Sequence, residues 1–196
     1  VTKKSKIIAA KNSYHGSTYG SLSLLGRKKQ KTGYYPMMPN VRFIKFNSIA
    51  DINKIDKKTA GVVLETIQGG AGFILPKPGY LKKIKEQCEK VGALLILDET
   101  QPGFGRTGHF FAFENYNISP DIIVMGKGMG GGLPIGAFTS KKIHMKLFEK
   151  NPRLGHITTF GGNPLVAAAS LATIKEITNS KLLDKISKKE NLFRKY

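Results

Sequence analysis

The chain has 196 residues, 40% of them hydrophobic, and a formal net charge of +19. This length allows one ordinary globular domain, or one and a half, and no apolar stretch approaches the roughly 18 residues of a membrane span. Cys88 is the only cysteine, which excludes an internal disulfide and fits a reducing compartment.

The amino terminus shows no signal-peptide pattern, and we therefore expect a cytoplasmic location. The positive charge predicts a solvated, lysine-rich surface, because 27 of the 32 basic residues are lysines and nucleic-acid readers favour arginine. Predicted helix faces carry several of these lysines, for example Lys82, Lys83, Lys85 and Lys90. No zinc spacing or RNA-binding aromatic motif accompanies them, so we expect no specific nucleic-acid partner and only weak non-specific binding.

Apolar runs alternate with segments of helical periodicity along the chain. Strands are predicted at 6–10, 41–46, 61–64, 94–97, 122–125 and 137–139. Helices are predicted at 50–58, 80–91, 142–148, 165–177 and 182–196, with Gly92 ending the second and Pro164 opening the fourth. Residues 21–25 could begin a helix, but Gly26 and the basic Arg27-Lys28-Lys29 favour a loop. The alternation implies right-handed βαβ crossovers and an α/β fold with a mainly parallel sheet flanked by helices.

Ionisable residues follow two successive apolar strands of the segment 93–136. The run 94–97 ends on Asp98, and the run 122–125 is followed by Gly126 and Lys127. Ligands bind beyond the carboxyl ends of the strands in open α/β sheets. An acidic residue and a lysine at successive strand ends therefore suggest one site with two opposed charges.

The glycines of this segment match nucleotide-binding patterns only formally. Residues 103–108 and 126–131 both fit GxGxxG, but an aromatic run follows the first match and Leu133-Pro134 follows the second, so neither is expected to open a helix. Lys127 is not a P-loop lysine, since Gly128 stands where Ser or Thr is required.

A pyridoxal phosphate (PLP) site is the third interpretation. A lysine amine forms a Schiff base with the cofactor aldehyde, and an acidic residue keeps the pyridine nitrogen protonated. Lys127 and Asp98 have this chemistry. From spacing alone, the alternative stays open that Asp98 caps a turn or helix and that Lys127 is a solvated loop lysine.

An ordered series of motifs resembles the signature of the class III aminotransferases, which are PLP enzymes of fold type I, the aspartate aminotransferase fold. It covers nearly the whole chain and comprises Ser13-Tyr14-His15-Gly16, Glu65-Thr66-Ile67-Gln68-Gly69, Asp98-Glu99-Thr100-Gln101, Gly105-Arg106-Thr107-Gly108, Pro120-Asp121-Ile122, Gly126-Lys127, the run 130–136, and Thr158-Thr159-Phe160-Gly161-Gly162-Asn163-Pro164.

The resemblance implies roles for individual residues. Lys127 would be the Schiff-base lysine and the proton-transferring base, Asp98 would pair with the pyridinium nitrogen, and Gln101 would hydrogen-bond the phenolic oxygen of PLP. Tyr14 would stack on the cofactor ring, and His15 would shape that turn rather than act in acid–base catalysis.

Further residues extend the implied site beyond the cofactor ring. Thr159 would bind the cofactor phosphate of a partner subunit, which implies a homodimer with shared active sites. Glu65 and Ser17 would lie on the substrate side. His109, His144 and His156 show no metal-ligand spacing, and no metal is expected.

Two positions depart from the commonest family pattern. Ser17 stands where many members have Arg, and Gly70 stands where many have Glu; both departures concern the choice of amino donor. We expect a transaminase that moves an amino group from an ω-amino donor to 2-oxoglutarate. The first candidate for the donor is N-acetylornithine, an intermediate of arginine biosynthesis. The alternatives are 4-aminobutyrate or another ω-amino acid as donor, a PLP-dependent aminomutase, or an inactive fragment.

The resemblance also implies that the chain is a partial one. Family members have about 400 residues, which corresponds to a large and a small domain. Residues 1–178 would be part of the large, PLP-binding domain, incomplete at both ends. Residues 179–196 would begin the helix that leads to a carboxy-terminal small domain.

Overall fold

The structure is a computed structural model that describes residues 1–150, without the Lys150 side chain, and residues 156–195. The chain divides into two compact units. The amino-terminal unit consists of Thr2–Asp98 and Tyr116–Ile122, and the carboxy-terminal unit of Val1, Glu99–Asn115 and Ile123–Tyr196.

A parallel sheet forms the core of the amino-terminal unit. Its strands are β1 (Lys6–Ala10), β2 (Val41–Ile44), β3 (Thr59–Glu65) and β4 (Leu94–Asp98). They lie in the order β2-β1-β3-β4, and every pair is parallel. Most apolar side chains of β1 and β3 are buried, as expected for strands covered on both faces, whereas in β4 only Leu95 and Leu97 are buried and Leu94 and Ile96 are half-buried. The predicted parallel α/β arrangement is confirmed here.

The first helical segments differ from the sequence prediction. The stretch expected to be a loop contains the short helix α1 (Tyr19–Ser23) and a 3₁₀ helix, Lys28–Lys31. Leu22 and Leu25 are buried, so burial of apolar side chains stabilises a turn of helix despite the following Gly26 and basic run.

The helix predicted at 50–58 is only a 3₁₀ helix, Ala50–Lys54. Asp56 ends it, because its side chain accepts the Lys58 N–H at 2.9 Å and its carbonyl accepts the Thr59 N–H at 2.9 Å. These bonds compete with continued helix and close a turn instead.

Helix α2 (Tyr80–Val91) matches its prediction at both ends. Leu81, Ile84 and Cys88 are buried, so Cys88 is a core residue. Gly92 ends the helix in the left-handed conformation at φ 66°. Lys82, Lys83 and Lys90 are exposed as expected. Lys85 is an exception to the expected solvated surface, because its ammonium lies 3.0 Å from Asp121.

The carboxy-terminal unit contains β5 (Ile122–Gly126) except for its first residue, and β6 (Gly136–Ser140), and the two strands are neighbours in the sheet order. Its helices are α3 (Lys142–Met145), α4 (Leu147–Lys150), α5 (Pro164–Asn179) and α6 (Asp184–Phe193), with 3₁₀ helices at Ala112–Tyr116 and Lys127–Gly130. Pro164 opens α5, as predicted, and α3 and α4 divide the single helix predicted at 142–148. Helix α6 is shorter than predicted, and residue 196 lies outside the described residues.

Neither GxGxxG match opens an α-helix. Residues 103–108 form turns, and residues 127–130 form a single 3₁₀ helix. The interpretation of both matches as false positives is therefore confirmed. No helix among the described residues is both long and apolar enough to cross a membrane.

Candidate active site

The carboxyl ends of β3 and β4 place two acidic residues side by side. Glu65 and Asp98 are register partners in the parallel pair, and they are only 5% and 7% exposed. Parallel strands end at the same edge of a sheet, which is where ligands of open α/β proteins bind. Two carboxylates buried at such an edge need specific partners.

Glu65 uses its two carboxylate oxygens to join two loops. Oε2 accepts the Tyr14 N–H at 3.1 Å, and Oε1 accepts the Gly69 N–H at 3.1 Å. Burial raises the pKa of Glu65, although these two backbone hydrogen bonds and nearby His15 act in the opposite direction. Glu65 thereby fixes the turn after β1 against the loop after β3.

His15 is a side-chain partner of Asp98. Nδ1 of His15 lies 2.8 Å from Oδ2 of Asp98, and the two side chains are 4% and 10% exposed. When Asp98 is ionised its carboxylate can only accept, and Nδ1 then carries the proton of this hydrogen bond. Nε2 of His15 is buried and has no hydrogen-bond partner among the described residues. His15 therefore orients the Asp98 carboxyl group, a contact that the sequence prediction did not include.

The same turn carries Tyr14 and Ser17. The Tyr14 side chain is 47% exposed, and Ser17 is exposed as well. The structure thus brings Tyr14, His15, Glu65 and Asp98 together at one edge of the parallel sheet. Their predicted roles toward cofactor and substrate stay predictions.

Glu99 organises the loop that follows β4, within the carboxy-terminal unit. Its carboxylate is fully buried and accepts the N–H groups of Ala112 at 2.9 Å and Phe113 at 3.1 Å. Its own N–H donates to the Val124 carbonyl of β5 at 2.9 Å. Glu99 was predicted only as part of the motif Asp98-Glu99-Thr100-Gln101, without a role of its own. An acidic residue between a buried strand and a glycine-rich loop was the available signal for this structural role.

The Glu99 loop carries Gln101 and Arg106. Gln101 is half-buried and Arg106 is exposed. Gly103 donates to the Glu99 carbonyl at 3.0 Å, and a Cβ at Gly103 would lie 2.7 Å from that oxygen. The loop is therefore closed tightly at its base, which holds Gln101 close to the end of the strand.

Lys127 occupies an unusual backbone position directly after β5. Its φ is 42°, in the left-handed region that few residues other than glycine adopt. Lys127 is exposed, and it is the first residue of the 3₁₀ helix Lys127–Gly130. Gly131, at φ 58°, packs so closely on α5 that a Cβ there would lie 2.2 Å from Oγ1 of Thr173. This packing fixes the strained turn, and backbone strain of this kind is concentrated at functional sites.

Thr159 is exposed in the segment that precedes α5. An open, largely apolar cavity of about 690 Å³ lies beside it, lined among others by Pro134, Thr158, Phe160, Asn163 and Val166. Thr158 rather than Thr159 lines this cavity. The described residues contain no group of three or more His, Cys, Asp or Glu side chains that could hold a metal ion.

The donor set of these residues fits PLP. A buried carboxyl group with an orienting histidine suits a protonated ring nitrogen, and a half-exposed tyrosine ring suits stacking. An exposed lysine amine suits covalent attachment of an aldehyde.

Comparison with known proteins gives a consistent result. The family model "Aminotransferase class-III" matches residues 1–196. The chain is 42% identical to the "[LysW]-aminoadipate semialdehyde/glutamate semialdehyde transaminase" of Sulfurisphaera tokodaii, over 100% of the chain and 50% of that protein. It is 40% identical to the "Acetylornithine aminotransferase" of Aquifex aeolicus, over 97% of the chain and 50% of that protein. The chain spans about half the length of the curated relatives it matches.

Solved structures agree with the sequence comparison. The ornithine aminotransferase of Toxoplasma gondii ME49 superposes with a TM-score of 0.92 at 31% identity, covering 98% of this chain and 46% of that chain. Another structure of that organism's ornithine aminotransferase contains PLP at partial occupancy at its active site. These findings support the aspartate aminotransferase-like fold and PLP as the cofactor. The chain belongs to the class III aminotransferases.

Proposed function

We propose that the full-length protein carrying this chain is a transaminase that moves an amino group from an ω-amino donor to 2-oxoglutarate. N-acetylornithine is the first candidate for this donor. The observation that carries this proposal is the Asp98 carboxyl group, buried at the end of β4 and held by His15 at 2.8 Å. A carboxylate in this position can keep a pyridine nitrogen protonated.

The residues of the amino-terminal unit would bind and orient the cofactor. Asp98 would pair with the ring nitrogen of the cofactor, while His15 contacts Oδ2 of the Asp98 carboxyl group. The Tyr14 ring would lie on the face of the cofactor ring. When bound, PLP supplies an electron sink for the reacting carbon of the substrate. Glu65 keeps Tyr14 in place through the backbone N–H at 3.1 Å.

The residues of the carboxy-terminal unit would supply the reacting amine. Lys127 would hold the cofactor covalently until the amine of the substrate displaces it, and the released Lys127 amine would then move a proton from the amino-bearing carbon of the substrate to the cofactor. Gln101, on the loop closed by Glu99, would donate to the phenolic oxygen of the cofactor. The fixed turn around Gly131 supports this assignment, because a proton-transferring group must be held in one geometry.

A homodimer is part of the proposal. Thr159 would bind the cofactor phosphate in the active site of a partner subunit. Support comes from the large apolar side chains on either side of it, since Ile157 is 72%, Phe160 81% and Leu165 70% exposed. Apolar surface of this kind marks interaction sites.

A second donor class is favoured by the relatives themselves. The two [LysW]-aminoadipate semialdehyde/glutamate semialdehyde transaminases are 42% and 43% identical to this chain. The acetylornithine aminotransferases of Aquifex aeolicus and Methanosarcina acetivorans are 40% and 42% identical. Identity therefore does not separate the two activities, and the amino donor of a [LysW]-aminoadipate semialdehyde/glutamate semialdehyde transaminase is the second candidate. A 4-aminobutyrate aminotransferase and an aminomutase are retained as further alternatives.

A donor panel tests the proposal in the purified full-length protein with added PLP. We expect glutamate to form from 2-oxoglutarate with N-acetylornithine, and more slowly with ornithine or 4-aminobutyrate. Lys127→Ala should abolish turnover and the visible absorbance of the attached cofactor, while Asp98→Asn should retain cofactor but lose most of the rate. Lys142→Ala, at another exposed lysine, is the matched control. Wild-type turnover in Lys127→Ala would contradict the assignment.

A further inference from the structure

Arg27 reaches the edge of the candidate site although it lies in none of the motifs. Its Nη2 donates to the Gly70 carbonyl at 2.8 Å, and the residue is exposed. Among the described residues, no ion pair joins Arg27 to a carboxylate. A guanidinium has five N–H donors, so most of them remain available for a ligand.

The backbone of Arg27 is fixed against the turn after β1. The preceding residue, Gly26, donates its N–H to the Ser13 carbonyl at 3.1 Å. A Cβ at Gly26 would lie 2.2 Å from the Asn12 nitrogen and 2.4 Å from the Ala10 oxygen. Only glycine allows this close approach. Because Arg27 follows Gly26 directly, its Cα lies beside the turn that carries Tyr14 and His15.

The far end of the Arg27 side chain is fixed as well. Glu65 holds the Gly69 and Tyr14 N–H groups at 3.1 Å each, so the Gly70 loop and the Tyr14 turn share one buried anchor. A Cβ at Gly70 would lie 3.4 Å from the Tyr14 Cβ. The Arg27 guanidinium, Gly70 and Tyr14 are therefore contiguous, and His15 with Asp98 comes next along the same edge.

Neither Ser17 of the turn nor Gly70 of the loop supplies a cation at this edge. The two buried acidic side chains at the strand ends, Glu65 and Asp98, would repel an anion when they are ionised. The substrates of the proposed reaction are amino acids and oxo acids, which carry carboxylates. Arginine is the side chain best suited to bind a carboxylate through two parallel hydrogen bonds.

We infer that Arg27 binds a carboxylate group of the substrate and selects carboxylate-bearing donors over simple amines. This inference rests on the proposed transaminase function. Arg27 is a specificity residue at the mouth of the site, and the exposed Lys28 and Lys29 beside it add positive potential that attracts anions. The Gly70 carbonyl holds the guanidinium in place, and the missing side chain at residue 70 leaves no carboxylate there to neutralise it.

The test uses the full-length protein with PLP and compares Arg27→Gln with Arg42→Gln. Arg42 is exposed on β2 and donates to the carbonyl of its own neighbour Val41 at 3.0 Å, which makes it a matched control. Glutarate, a dicarboxylate without an amino or oxo group, is titrated by calorimetry. We expect Arg27→Gln to raise the Kd for glutarate about 10-fold to 100-fold, as for the loss of a charge-assisted hydrogen bond, and Arg42→Gln to leave it unchanged.

Turnover supplies a second readout. N-acetylornithine is compared with N-acetylputrescine, the same amine without its carboxylate. Arg27→Gln should raise the KM for N-acetylornithine and leave kcat/KM for N-acetylputrescine within about twofold of wild type, because only the first donor has a group for Arg27 to bind.

Unchanged glutarate affinity in Arg27→Gln would overturn the inference, and so would an equal loss with both donors. If the wild type binds glutarate through Arg27 but transaminates no donor, the proposed function fails while carboxylate binding by Arg27 stands. The two failures are therefore distinguishable.

Discussion

The residues at the edge of the parallel sheet show how surroundings give different tasks to similar groups. Glu65 and Asp98 are register partners at adjacent strand ends. Each carboxylate oxygen of Glu65 accepts one backbone N–H group. Asp98 instead contacts His15, whose other ring nitrogen is buried without a hydrogen-bond partner in the described part of the chain. The first arrangement fixes loops, and the second prepares a carboxyl group for a ligand.

His15 should act as a positioning residue for Asp98. Removing a hydrogen bond to a charged group costs about 1.5–3 kcal/mol, so His15→Ala should lower kcat/KM by about 10-fold to 100-fold. The change should appear mainly in kcat, with a shifted absorbance of the bound cofactor. His144→Ala, at a histidine that contacts Ser140 at 2.8 Å, serves as control. A His15→Ala enzyme with normal kcat and spectrum would exclude this role.

Stability should depend on pH through Glu65. Burial raises its pKa above the ordinary value of 4.5, so the folded state holds this proton more tightly than the unfolded chain does. The stability contributed by Glu65 is therefore fully present below about pH 4.5 and is lost as the pH rises through the raised folded value.

The variant Glu65→Gln tests this linkage, because glutamine cannot ionise. Its free energy of unfolding relative to wild type should increase with pH, on top of a constant loss of one backbone hydrogen bond. Urea unfolding of the full-length protein at about pH 4 and about pH 8 measures it. Glu86→Gln, at an exposed position of α2, is the control. A difference that does not vary with pH would refute the prediction.

The amino-acid sequence predicted which residues belong to the site, but it did not predict which of them contact one another. Asp98 and Lys127 were found because each lies just beyond an apolar run. The hydrogen bond from His15 to Asp98 joins residues 83 positions apart, and that from Arg27 to Gly70 joins residues 43 apart. Such contacts depend on the order and register of the strands, which local patterns do not encode.

At the level of secondary structure, strongly patterned elements were predictable and short ones were not. The apolar runs of β3, β4 and β5 and the periodic face of α2 all appear where expected. The errors concern α1 and the 3₁₀ helix Ala50–Lys54, whose lengths depend on which side chains become buried and on the competing hydrogen bonds of Asp56. Short helices gain most of their stability from such tertiary packing.

The start of α5 offers a clear test of a local device. Oδ1 of Asn163 accepts the N–H groups of Leu165 at 3.1 Å and Val166 at 3.2 Å. Asn163→Ala should therefore lower the free energy of unfolding by about 1 kcal/mol, whereas Asn163→Ser should cost less. Chemical denaturation of the full-length protein measures both, with Asn179→Ala, at the exposed last residue of α5, as control. Equal stability of Asn163→Ala and wild type would contradict the capping role.

For the whole molecule, the net charge of +19 is the most general property. If it reflects a solvated lysine surface, DNA binding should lack sequence preference and fall steeply with added salt. Fluorescence anisotropy with two unrelated duplexes over a salt series measures this. Tight binding of one duplex at physiological salt would reveal a nucleic-acid function that the site residues do not account for.

The division of the chain also belongs to this scale. The boundary predicted at residue 178 lies within the last turn of α5, which ends at Asn179, and it stays a prediction. Large apolar side chains are exposed in the carboxy-terminal unit, including Ile143 at 72% and Phe193 at 81%. Exposure on this scale is typical of surfaces that pack against other parts of an assembly.

We predict that residues 1–196 alone will not transaminate. The chain spans about half the length of its curated relatives, and a site that lacks part of its surroundings positions substrate poorly and excludes less water. The exposed apolar side chains should also cause association, measurable by light scattering. Residues 1–196 and the full-length protein are assayed in parallel with PLP, N-acetylornithine and 2-oxoglutarate, and glutamate is quantified. Turnover by residues 1–196 equal to that of the full-length protein would show that the active site is complete within this chain.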